Sequence, residues 1–278
     1  MTKFQRRKKI VVAVRASLSV AAVCWALLIP LAAQVTAIRA GKLIDPDSGT
    51  VLTGQTILIR AGKIEAVGSN VTVPADAKII DLSTMTVLPG LIDCHTHVAS
   101  GAQDALDMDM FRQTAAQYVL ASVPNARVIL ESGFTTVRDV GTMRALVDVA
   151  LRDAINRGDI VGPHMFVAGA YVTITGGAGS ATGLAPDIIL PWDMHYGEAN
   201  SPWEVRQVVR KLAHDGVDHI KILSSGAVLA HGSNPKSQEF TPEELRAAVG
   251  QSSRATRRST RTFGRGHQER NPRRRGLG

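Results

Sequence analysis

Two histidines separated by one residue, His95 and His97, close an apolar run that begins at Val87. Side chains alternate along a strand, so both imidazoles are expected on one side and Thr96 on the other. Imidazole is a ligand for zinc and similar ions, and a catalytic zinc site takes three protein ligands and keeps one position for water. A further candidate is Lys221, flanked by Ile220 and Ile222, where a charged ammonium is unfavourable unless paired. Burial lowers an amine pKa, and a neutral amine can add carbon dioxide to give a carbamate whose two anionic oxygens can bridge two divalent ions. Plainer readings of the same residues are two polar side chains at a strand end and a snorkelling or salt-bridged lysine.

The chain of 278 residues is long enough for one α/β barrel or two smaller domains, and with 4% aromatic residues its core must be mostly aliphatic. The formal charge of +8 is confined to the ends. Residues 34–250 hold 17 Lys and Arg against 23 Asp and Glu, whereas residues 1–33 hold six basic residues and residues 251–278 hold nine arginines with one acid, Glu269. Two cysteines, Cys24 and Cys94, are too few for a disulfide framework. By alternation Cys94 shares a face with Thr96, opposite Asp93, as a small buried residue.

Lys3, Arg6, Arg7, Lys8 and Lys9 precede an apolar stretch from Ile10 to Ala33, the layout of a secretory leader, so residues 1–33 imply an exported, periplasmic or secreted protein. An uncleaved inner-membrane anchor is the alternative, and it is the only membrane contact expected. From about residue 34 to 85, short β-branched runs separated by glycine turns predict a small β-sandwich. Within it Ala40-Gly41-Lys42 and Ala61-Gly62-Lys63 each read as a hairpin turn. After His97 strands and helices alternate. A helical pattern over 107–131 is interrupted near Pro124, and strand 135–140 and helix 143–157 follow. Strand 164–169 then leads into a long Gly-rich loop. A helix capped at Ser201, a strand over 219–224 and a helix capped at Thr241 complete the pattern. The fold class is α/β, most simply the first four βα units of a TIM barrel over residues 86–250.

The run Leu88-Pro89-Gly90-Leu91-Ile92-Asp93 before the histidine pair resembles the opening barrel strand of the metal-dependent amidohydrolase superfamily. Asp218-His219-Ile220-Lys221-Ile222 and Gln238-Glu239-Phe240-Thr241-Pro242-Glu243-Glu244-Leu245 look like its imidazolonepropionase-like and Xaa-Pro dipeptidase-like branch. The resemblance covers about residues 35–250. It implies a carboxylated Lys221 bridging two divalent ions, zinc foremost, with His95 and His97 on one of them. It also implies hydrolysis of C–N amide bonds in dipeptides or cyclic amides by metal-activated water. Thr173-Ile174-Thr175-Gly176-Gly177-Ala178-Gly179 looks like the family's third-strand loop, where relatives often carry histidine in place of Ala178.

The resemblance also implies histidines at strands five and six and a proton-handling aspartate after strand eight, which the sequence does not supply, so the catalytic residue is unassigned. His231, after the fourth strand, is a candidate substrate contact, and Asp139, at the end of the second, a candidate support for the metal ligands. From residue 251 the chain loses periodicity and is expected to be a disordered, Arg-rich tail, as a truncated or frameshifted reading would give. The expected partner is a small amide or dipeptide, not nucleic acid, which an exported chain rarely meets despite the arginines. A truncated chain is expected to be weakly active or inactive. The competing reading is a non-catalytic half-barrel that covers its open sheet edge by binding itself or another chain.

Overall fold

The computed structural model describes residues 35–99, 109–228, 230 and 232–263. They divide into two compact units, separated between Pro89 and Gly90.

The first unit is a four-stranded sheet formed by β1 (Val35–Asp45), β2 (Thr50–Arg60), β3 (Lys63–Gly68) and β4 (Lys78–Val87) in the order β3-β2-β1-β4. β1 and β2 pair antiparallel and β1 and β4 parallel. This corrects the expectation of a sandwich: there is one layer, with a small core of Val35, Ala37 and Leu58, while Val51, Ile64, Val67 and Ile79 stay exposed. The two Ala-Gly-Lys repeats take different forms. Ala61 and Gly62, with φ of 50° and 73°, make the two-residue hairpin turn between β2 and β3. Gly41 instead lies inside β1, where the register with β4 shifts. A Cβ there would lie 2.1 Å from the Ser83 carbonyl oxygen, so this bulge requires glycine through close approach of backbone to backbone.

The second unit alternates strand and helix. β5 (Leu91–Thr96), β6 (Phe134–Asp139) and β7 (His164–Val167) form a parallel sheet in chain order, with helices α1 (Asp109–Arg112), α2 (Ala115–Glu131) and α3 (Val147–Arg157) in the connections. α2 opens on a reciprocal capping box between Thr114 and Gln117. It runs unbroken through Pro124, contrary to the expected interruption. The lost backbone bond falls at the carbonyl of Leu120, a residue 70% exposed. One face of the sheet, with Val137, Met165 and Val167, packs with Leu151, Val209 and Leu212 into a single aliphatic core. The other face, with Arg138, His164 and Phe166, is exposed.

The expected third strand is broken. β7 ends at Val167 because the N–H groups of Ala168 and Gly169 turn to donate to Oδ2 of the buried Asp148, at 3.1 and 2.8 Å. The chain resumes as β8 (Tyr171–Val172), which pairs parallel with β9 (Lys221–Ile222), all that forms of the expected 219–224 strand. Between them lie a single 3-10 turn, Trp192–Met194, and α4 (Pro202–His214), capped by Ser201 Oγ on the Glu204 N–H. Asp218 docks the fourth segment on the third: its N–H donates to Val167 O at 2.8 Å and its Oδ2 accepts from Val167 N and from Arg152. The sheets do not close on themselves.

The last element, α5 (Pro242–Phe263), is capped reciprocally by Thr241 and Glu244. It passes Gly250 without a break, so residues 251–263 continue a helix where the sequence reading expected a disordered tail; residues 264–278 lie outside the described residues. Serine, threonine, glutamine and arginine after Gly250 include no proline, and arginine is a good helix former.

The contact at Gly41 is testable by urea denaturation. Gly41→Ala is expected to lower stability by about 1–3 kcal/mol, the range for overpacking. Gly68→Ala, whose Cβ would meet Val71 at an ordinary 3.5 Å, is expected to stay within about 0.5 kcal/mol of the parent.

Candidate metal centre

The histidine pair stands at the end of β5, and the strand is irregular there. Asp93 pairs with Val137 and Thr96 with Asp139, leaving Cys94 and His95 opposite Arg138 alone. Asp93 and Thr96 therefore share the buried face of β6, which strict alternation forbids and a bulge allows. The bulge is held from both sides: Asp93 Oδ1 accepts the His95 N–H at 2.9 Å, and Arg138 Nε donates to Cys94 O at 2.7 Å. Cys94 is exposed, not buried as alternation predicted.

The bulge leaves the imidazoles adjacent, with ring centroids 5.7 Å apart. Two imidazoles on one tetrahedral ion, each nitrogen about 2 Å from it, have centroids about 5 Å apart, so the spacing fits a shared ion. The His97 ring is oriented. Its Nδ1 lies 3.0 Å from the Gly141 carbonyl oxygen, which can only accept, so Nδ1 is the donor in this contact. The Tyr171 hydroxyl lies 3.2 Å from the same Nδ1. A Cβ on Gly141, whose φ is +101°, would stand 3.2 Å from the Tyr171 ring, so glycine lets this loop pass between the two side chains.

The segment after His97 is pinned through its backbone. Asp139, fully buried at the end of β6, accepts the Val98 N–H at 2.5 Å and the Gly141 N–H at 3.3 Å, and is also bonded by the Ala99 N–H. From α2, Asn125 donates to Val98 O at 3.2 Å and Ser122 to Ala99 O at 3.0 Å. Burial first, and then the negative charge of Asp148, push the Asp139 carboxyl up to about 8, against the lowering effect of its backbone donors.

Lys221 is half-buried, and burial, followed by the charge of Arg138, depresses its amine below the ordinary lysine value. Lys221 is the ladder neighbour of Tyr171, so both side chains leave one face of the β8-β9 pair, and the Tyr171 hydroxyl is the group that touches His97. Tyr171 thus stands between the first-strand histidines and the fourth-strand lysine. Among the described residues, no group of three or more His, Cys, Asp or Glu is arranged to hold an ion. Of the expected ligands His95, His97 and Lys221, the structure brings the two imidazoles side by side.

Sequence reasoning missed three residues here. Arg138 sits in a strand of mixed polarity beside Asp139, so it lacked the apolar flanks that marked Lys221. Tyr171 carried no signal. His219 lies in the fourth-strand motif, yet only the structure shows its Nε2 buried without a hydrogen-bond partner. Ala178 makes its contact by backbone, its N–H donating to Glu239 Oε1 at 2.9 Å. His231 lies outside the described residues. His195 turns to Glu198, His214 ends α4, and the His164 ring packs edge-on against Phe166.

The second unit is an open α/β array with a histidine pair at the end of its first parallel strand, and comparison with known proteins gives its family. Residues 86–258 match the amidohydrolase family, and the chain belongs to that family. It is 32% identical over 243 residues to an ochratoxinase of Aspergillus niger, a match covering 81% of this chain and 49% of that protein. It is 34% identical over 68 residues to an imidazolonepropionase of Vibrio cholerae serotype O1, covering 24% of this chain and 17% of that one. Among solved structures, a Xaa-Pro dipeptidase with methionine in its active site superposes with a TM-score of 0.71 at 35% identity, over 83% of this chain and 55% of that chain. The chain spans about half the length of its best-covered relatives. Its α/β fold resembles theirs over that half.

The buried carboxyl of Asp139 gives stability a pH dependence. Burial pushes it from the ordinary carboxyl value of 3.8 up to about 8. Folding therefore favours the protonated form, and the contribution is fully present below about pH 4 and is lost as pH rises to about 8. In chelator-treated protein the melting temperature is expected to fall across that window, with a smaller fall in Asp139→Asn.

Proposed function

We propose that the chain is the N-terminal portion of a metal-dependent amidohydrolase that cleaves the C–N bond of a small amide or dipeptide, built as the first four βα units of a TIM barrel. The observation that supports this reading is the histidine pair, with ring centroids 5.7 Å apart and the His97 ring oriented by the Gly141 carbonyl, next to the tyrosine that neighbours Lys221. His95, His97 and Lys221 are the residues that would hold the metal, zinc foremost, with Lys221 as its carbamate. Divalent ions in such a site lower the pKa of water and polarise the scissile carbonyl.

The residues present hold and orient. Asp139 fixes the backbone on either side of the pair's end through Val98 and Gly141, and Tyr171 restrains the ring of His97. The aspartates nearest the pair, Asp93 and Asp139, are engaged by the backbone N–H groups of His95, Val98 and Gly141, so turnover by this chain alone is expected to be slow or nil. The leader reading, on residues outside the described part, supports export to the periplasm or medium. Among the described residues no helix is long and apolar enough to cross a membrane.

A second reading has its own support. β5 is an edge strand, and Ile92, 66% exposed, and Phe166, 44% exposed, lie on the uncovered face of the sheet. A half-barrel of this kind would bind a second copy or another chain to cover that face. A stable monomer in size-exclusion with light scattering would remove this reading.

Elemental analysis after dialysis against zinc or manganese tests the first. The protein is expected to retain metal, and His95→Ala, His97→Ala and Lys221→Ala each to retain about tenfold less or lower still, as loss of a ligand or its support does. Equal retention in all four would refute the site. On a dipeptide panel slow or no hydrolysis is expected; robust turnover lost in His95→Ala would show this half sufficient and overturn the expectation of weakness.

A further inference from the structure

Between helices α4 and α5 runs an open groove of about 520 Å³, and none of the residues lining it belongs to the histidine pair or to a strand. Among the described residues its charged side chains are Arg206 and Arg210 on α4 and Glu243 and Arg246 on α5. This surplus of cations stands in a body, residues 34–250, that holds 17 Lys and Arg against 23 Asp and Glu. Arg206 makes no hydrogen bond or ion pair among the described residues. Arg210 uses its Nε, which donates to Gln251 Oε1 at 3.1 Å, and keeps its terminal nitrogens open. Arg246 reaches Glu243 one turn back on its own helix, at 2.9 Å, but both side chains are largely exposed, and an ion pair of that kind is weak and readily exchanged. Gly250 also lines the groove. Glycine weakens a helix interior, yet Gly250 has no positive φ and a Cβ there would meet nothing within 4 Å. Packing within the chain does not require it, and its missing side chain keeps the groove open.

Arg206 and Arg210 stand one helical turn apart, about 6 Å along α4, and Arg246 lines the opposite wall. A planar carboxylate satisfies one guanidinium fork edge-on. A phosphate presents oxygens on several sides, and two or three linked phosphates present them over the length of a turn, so that forks from both walls are served at once. We propose that the groove binds a small soluble anion carrying two or more linked phosphate groups, held by Arg206, Arg210 and Arg246, with Arg246 released from Glu243. Binding is non-covalent, needs no metal and is separate from the hydrolase reading of the histidine pair.

Calorimetric titration of the metal-free full chain with diphosphate, and with citrate as a carboxylate anion of similar charge, tests the proposal. The parent is expected to bind diphosphate more tightly than citrate. Arg206→Gln and Arg246→Gln are each expected to weaken diphosphate binding about tenfold, the effect of losing one charge-assisted contact. Gly250→Leu probes the groove without changing its charge. The new side chain enters open space and favours the helix, so the fold is expected to hold while diphosphate affinity falls about tenfold or more. Residues 251–278 hold nine arginines that attract polyanions on their own, an attraction indifferent to these three substitutions. If the variants keep parental circular dichroism and bind diphosphate as the parent does, if citrate binds as tightly as diphosphate, or if the parent binds neither, the inference is wrong. Zinc retention, measured separately, is expected to be unchanged in all three variants, so failure of the groove and failure of the metal site are told apart.

Discussion

The arrangement around the histidine pair depends on a carboxylate placed where water cannot reach it. Asp139 is fully buried among aliphatic side chains, a position tolerable for a carboxyl only if its oxygens find donors or keep a proton. Both occur: backbone N–H groups of Val98, Ala99 and Gly141 converge on it, and its affinity for a proton is raised. Satisfying this one group fixes two chain segments at once, the turn after His97 and the loop whose carbonyl orients the His97 ring. Asp148, equally buried, does the same for Ala168 and Gly169 at the end of the third strand. The charge of Asp148 adds to burial in raising the Asp139 pKa, and each carboxyl is held by its backbone donors.

The two faces of the parallel sheet separate these duties. Toward the helices lie apolar side chains and the satisfied carboxylates; on the opposite face lie Arg138, His164, Phe166 and, across the break in the sheet, Lys221. A cation on an exposed face loses little hydration, so Arg138 need not be neutralised for the chain to fold. Asp218, on the fourth segment, is committed to Arg152.

Much of this was legible in the sequence because it rests on local patterns. The alternation of strand and helix, the caps at Ser201 and Thr241, the glycine after α3 and the second hairpin all follow from residue type at short range. What could not be read depends on partners distant in the chain. Gly41 and Gly62 sit in near-identical tripeptides, yet one serves a bulge against β4 and the other a turn. The bulge at Cys94 and His95 is set by Asp93 and by Arg138, 44 residues on from Cys94, so period-two alternation gave the wrong face for Cys94. The break in the third strand required Asp148, whose role nothing in its own helix announces. Tyr171 was invisible for the same reason: its importance comes from the register of β8 on β9.

The two histidines are not equivalent. His97 is half-buried, its ring bonded to the Gly141 carbonyl and flanked by Tyr171, whereas His95 is exposed and the restraint on it is a backbone bond to Asp93. Ordering a free side chain costs rotamer entropy that a preorganised one has already lost. His97 would therefore offer an ion a fixed donor, whereas ordering His95 would cost up to about 1 kcal/mol. The strand end that carries the pair is in turn tied to its neighbour by Arg138, whose Nε donates to Cys94 O beside His95, so the bulge that sets the two rings side by side is held by a side chain from β6.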